Sequence, residues 1–72
     1  MPINRTAAEN ATTFTLVHNM GWDPNEAARA VRSYVEHTSD EVDPEVEYVF
    51  EAVMDGRVES ITGHAEEDFL GV

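Results

Sequence analysis

The side chains capable of chemistry in this 72-residue chain are three histidines, fifteen carboxylates and a scatter of Ser and Thr hydroxyls, with no cysteine. His18, His37 and His64 fall in separate segments, and none stands in the HxxxH or HExxH spacing that brings two metal ligands onto one helical face. Each reads singly as a surface or helix-end side chain. Glu41, Asp43, Glu45 and Glu47 alternate through one acidic stretch. A calcium loop needs Gly at its sixth position, and the sixth residue from Glu41 is Val46. A solvated helix start with carboxylates facing the positive end of the helix dipole is the simpler meaning. Glu66, Glu67 and Asp68 read as an exposed acidic end. The hydroxyls occupy neither a nucleophile elbow nor a glycine-rich phosphate loop, so the expectation is a chain that is not an enzyme and that carries no cofactor or metal.

Bulk charge narrows the class further. Fifteen Asp and Glu oppose four Arg and no Lys, a formal net charge of −11. Phosphate backbones are held mainly by Lys and Arg, so direct nucleic-acid binding is not expected. Solubility or adaptation to a salty interior accounts for such a surface; so does recognition of a basic partner by an acidic inhibitor or nucleic-acid mimic. That surface would comprise Glu36, Asp40, Glu41, Asp43, Glu45, Glu47, Glu66, Glu67 and Asp68. Without cysteine, neither disulfides nor thiolate zinc can staple the fold. No apolar run approaches bilayer length, and the first residues lack the features of a signal peptide. A cytoplasmic protein without membrane association is the resulting expectation.

The elements that position these groups follow from periodicity and punctuation. Thr6 to Glu9 fits a capping box, and Ala7, Ala11, Phe14 and Val17 continue at helical spacing toward a stop at Gly21. The β-branched run Thr12, Thr13 and Thr15 also suits a strand. Asp23-Pro24-Asn25-Glu26 opens a second helix with Ala27, Ala28, Val31, Tyr34 and Val35 on its apolar face and Glu26, Arg29, Arg32 and Glu36 opposite. A polar connection from His37 to Val42 follows. Asp43-Pro44-Glu45 repeats the start signal, and Val46, Val49, Phe50, Val53 and Met54 form the clearest apolar stripe before Gly56. From Arg57 to Leu70, Val58, Ile61, Ala65 and Phe69 share one side, with a fray or break expected at Gly63. The prediction is an all-α, small three-helix bundle with a short C-terminal fourth helix at 57–70, a single domain over 1–72 with Phe14, Val31, Val49, Phe50 and Val53 in its core. A core this small is marginal alone, which leaves a homodimer, with the third-helix stripe buried between two copies, among the expectations.

Met20-Gly21-Trp22, at the corner between the first two helices, either folds inward as a staple or stays partly exposed as an anchor. From Met20-Gly21-Trp22 through Glu26-Ala27-Ala28 to Val31, and again at Val46 to Phe50, the chain resembles the ubiquitin-associated domain, with its Met-Gly-aromatic loop, Glu-Ala-x-x-Ala-Leu helix and Ala-Val-x-x-Leu third helix. The resemblance covers residues 12–55. Trp22 stands where Phe or Tyr is usual, and the connection between the second and third helices is about four residues longer. It implies a non-catalytic, regulatory protein-binding module that docks another protein through Met20, Gly21, Trp22, Val53 and Met54. A second stretch, Asp43 to Ser60, resembles the body of small helical antitoxins of Fic-type toxins. Their inhibitory Ser or Thr, three residues, Glu and then Gly or Asn has no counterpart here, so that role does not carry over.

Overall fold

The computed structural model describes residues 4–37 and 41–70. Four α-helices follow one another: α1 (Arg5–His18), α2 (Pro24–Glu36), α3 (Pro44–Met54) and α4 (Val58–Thr62), before a 3-10 turn at Glu66–Phe69. There is no strand among the described residues, and the expected all-α architecture of three main helices and a short fourth is what forms.

Helix starts are set by side chains that receive the free amides of the first turn. Asp23 accepts from the Asn25 and Glu26 amides at 3.0 and 3.1 Å, and Asp43 accepts from the Glu45 amide at 2.9 Å. Pro24 and Pro44 occupy the first helical positions, where no amide is needed. The start of α1 differs from expectation. Asn4 is the cap, accepting from the Thr6 and Ala7 amides at 2.8 and 3.4 Å, so Thr6 lies inside the helix. Asn in extended backbone is a strong cap, and using it gains α1 a productive first turn.

The threonine run is helical throughout. Thr12, Thr13 and Thr15 hydroxyls donate to the carbonyls of Ala8, Glu9 and Ala11 at 2.7, 2.9 and 2.9 Å. This back-bonding lets Thr12 and Thr15 lie fully inside without an orphaned hydroxyl. Buried on the same face are Ala7, Ala8, Ala11 and Leu16, whose small members permit close approach of the neighbouring helices. α1 is accordingly the central element, packed on α2, α3, α4 and the 3-10 turn.

Val31, Val46, Val49, Val53 and Val58 complete the core, with Ala27 and Phe69. Val31, Val49 and Val53 are buried as expected, whereas Phe14 and Phe50 are half-buried at its margin. The radius of gyration, 11.1 Å, matches the ~11 Å expected of a single closed core at this length.

Beyond α4 the helix breaks. Gly63 adopts φ +78° and its amide caps Glu59 O at 2.9 Å, so 57–70 is a short helix and a 3-10 turn instead of one helix. Asparagine side chains then hold this tail on α1: Asn10 Nδ2 donates to Phe69 O at 2.7 Å and Asn19 Nδ2 to Ile61 O at 3.1 Å.

Candidate functional site

The α1–α2 corner is built from three bonds and one glycine. α1 ends at His18, with the Asn19 amide donating to Thr15 O at 2.8 Å. The Trp22 amide reaches back to Leu16 O at 2.9 Å. Gly21 makes the reversal at φ +75°, and a methyl placed on its Cα would meet nothing within 4 Å. The glycine is thus required by backbone conformation, while its outer side is open.

The Trp22 ring packs on the edge of the core and is half-buried. Its indole Nε1 donates to Glu45 Oε2 at 3.1 Å, tying the corner to the first turn of α3. Met20 stands beside it, 42 % exposed.

The rest of the expected docking set does not join this corner. Val53 is fully buried, so it belongs to the core and cannot face a partner. Met54 is exposed but lies nine residues beyond Glu45, about two and a half helical turns, which directs it to the opposite flank of α3 roughly 13 Å along the axis. Of the α3 stripe, Val46, Val49 and Val53 are buried against the chain's own helices, whereas Phe50 is half-buried and Met54 exposed.

The acidic residues divide by what they touch. Asp43 caps α3; Glu45 holds the indole. Glu36 lies 3.9 Å from Arg32, and Glu66 accepts the Asn4 amide at 3.3 Å. Asp68 lies 3.8 Å from His64 Nδ1. Glu41, Glu47 and Glu67 are exposed, and Asp40 falls outside the described residues. Much of the acidic surface thus secures local structure as well as solvating the fold.

Two of the three histidines meet across a ring. Phe14 packs against His18 at 4.2 Å between centroids, His64 at 5.4 Å and Phe69 at 5.5 Å. The Phe14–His18 half of this cluster is an i, i+4 pair visible in the sequence. The His64 half depends on the Gly63 reversal. Among the described residues no group of three His, Asp or Glu side chains is placed to hold a metal.

One titration is displaced. The Tyr34 hydroxyl is held above its ordinary value near 10, first by burial and then by the negative charges of Glu51 and Glu47. Tyr34 lies against Phe50, with centroids 5.2 Å apart. Sequence reasoning assigned Tyr34 to the apolar face of α2 and overlooked Glu51, whose i, i+4 relation to Glu47 was the available signal.

The molecule is thus a small all-α domain with an exposed, anchored apolar corner and an acidic surface. No family model, curated protein or solved structure matches the chain. Among the described residues no helix is long and apolar enough to cross a membrane.

Proposed function

We propose that this chain is a non-catalytic protein-interaction module of ubiquitin-associated-like shape that docks a partner protein through the corner Met20, Gly21 and Trp22. The observation that carries the reading is a contrast between exposure and fixity. Met20 and the open side of Gly21 face solvent, yet the backbone is tied to Leu16 and the indole to Glu45. An apolar surface held in place before binding loses little conformational freedom on docking. A tryptophan at its centre suits a hot-spot anchor. Glu45 extends the footprint onto the first turn of α3, replacing Val53 and Met54 in the proposed contact.

The alternative, an acidic inhibitor, antitoxin or nucleic-acid mimic that covers a basic surface, draws support from the net charge of −11. Its affinity would fall steeply with salt, unlike that of an apolar corner. Photo-crosslinking tests the proposed docking site: a crosslinker at position 20 should trap a partner protein that one at exposed Ser60, on α4, does not. Equal trapping from both positions would remove the corner from the interface.

A further inference from the structure

The second feature is on the other flank of α3. Glu47, Phe50, Glu51 and Met54 stand at i, i+3, i+4 and i+7, so they share one stripe of the helix. Tyr34 of α2 closes the stripe from the side, its ring tilted 55° to that of Phe50. Both rings are half-buried, each packed on the core with an edge left open to solvent. Neither Glu47 nor Glu51 has a side-chain hydrogen bond or ion pair among the described residues, unlike Glu36, Glu45, Glu66 and Asp68. From Tyr34 an open cleft continues along Ser33 toward Val42 and Pro44.

We infer that this aromatic flank is a docking site for an arginine side chain of a basic partner peptide or protein, with the guanidinium lying on the Tyr34–Phe50 rings and Glu47 and Glu51 accepting its hydrogen bonds. Charge complementarity selects the occupant: two unpaired carboxylates flank the rings, in a chain of net charge −11. Arginine suits the site better than lysine because its flat, weakly hydrated group stacks on aromatic faces while presenting a fork of donors to carboxylates. Its methylenes would lie along the apolar wall of Val42 and Pro44. The displaced Tyr34 titration agrees with the geometry, since both glutamates are close enough to act on its hydroxyl. Nucleic acid, which carries phosphate instead of cations, is the wrong charge for this flank.

This site is separate from the corner. Glu45, which anchors Trp22, projects from the opposite side of α3, so each site is testable without the other.

The test is a titration of the 72-residue chain with two capped peptides, Gly-Arg-Gly-Arg-Gly and Gly-Lys-Gly-Lys-Gly, followed by backbone and aromatic NMR. The arginine peptide should shift the signals of Tyr34, Glu47, Phe50 and Glu51 saturably and bind several-fold more tightly than the lysine peptide. E47Q/E51Q, which keeps both side-chain shapes on an exposed surface, should weaken it by about tenfold, as loss of a charge-assisted pair predicts. Y34L, checked for retained helicity, should remove the arginine-over-lysine preference. M20S at the corner should change nothing. Shifts scattered over all acidic side chains, equal affinity for the two peptides, or unchanged binding in E47Q/E51Q would each overturn the assignment.

Discussion

The bond between Trp22 and Glu45 is where the anchored corner is most exposed to test, and its magnitude is workable. Aromatic side chains bury roughly 150–250 Å² when fully enclosed. A mostly buried indole therefore covers roughly 150 Å², worth about 4 kcal/mol at ~25 cal/mol per Å², as an upper bound. Trp22→Ala should cost up to that amount. A 72-residue domain has about 4–11 kcal/mol of stability in total, so binding by the variant is read only once circular dichroism shows that its helices are retained. Trp22→Phe keeps an aromatic ring but loses the N–H to Glu45 and part of the packed area, the bond accounting for about 0.5–1 kcal/mol. The bond itself is isolated by a double-mutant cycle of Trp22→Phe and Glu45→Ala, since Glu45 also faces the α3 dipole. Urea denaturation followed by circular dichroism should give a coupling of about 0.5–1 kcal/mol. Additivity within about 0.3 kcal/mol would show that the bond does not hold the corner. A loss above about 5 kcal/mol in Trp22→Ala would mark the indole as core and refute the anchor reading.

Three further outcomes follow from other contacts. Gly21→Ala should cost about 1–2 kcal/mol through the left-handed backbone alone, visible as a lower melting temperature; a larger loss would reveal a clash that the open side excludes. Asn10→Ala strips the donor from Phe69 O and should cost about 0.5–1.5 kcal/mol, seen as faster amide exchange in residues 58–70 with α2 and α3 unchanged; uniform exchange across all helices would show that the tail is not separately held. In Tyr48→Phe, where Tyr34 is the sole tyrosine, absorbance titration should place its ionisation above 10, and E47Q/E51Q should move it partway back because burial is the larger cause. Its stabilising contribution is then full below pH ~10 and is lost as pH rises through the displaced value. An ionisation at or below 10 would contradict the Tyr34 environment.

How much was legible depended on whether the deciding contact was local. Asp23-Pro24 and Asp43-Pro44 carry cap and first-turn residue together, so both helix starts could be read directly. At the N-terminus two local solutions competed: Thr6 to Glu9 spelled a capping box, yet Asn4 two residues earlier provides the acceptor. The strand alternative for Thr12 to Thr15 failed because each hydroxyl finds a carbonyl one helical turn back. Burial beside Ala7, Ala8 and Ala11 then outweighs the β-branched preference. For the docking set, the apolar character of Val53 was plain but its direction was not. Periodicity marks a buried stripe without saying whether the chain or a partner covers it, and here α3 turns Val53 inward. The Phe14–His64 and Tyr34–Phe50 pairings join segments distant in sequence, so no spacing rule reaches them.

The central proposal is that the anchored apolar corner recognises its own partner without help from the acidic surface. Capture from an extract of the source cells, with wild type and Met20→Ser compared at low salt and at about 0.5 M salt, tests it most directly, because salt screens exposed charge pairs while sparing apolar contact. The account predicts one captured protein that persists at high salt and is lost with Met20→Ser, the variant remaining folded. Capture that disappears with salt and is indifferent to Met20→Ser would contradict it.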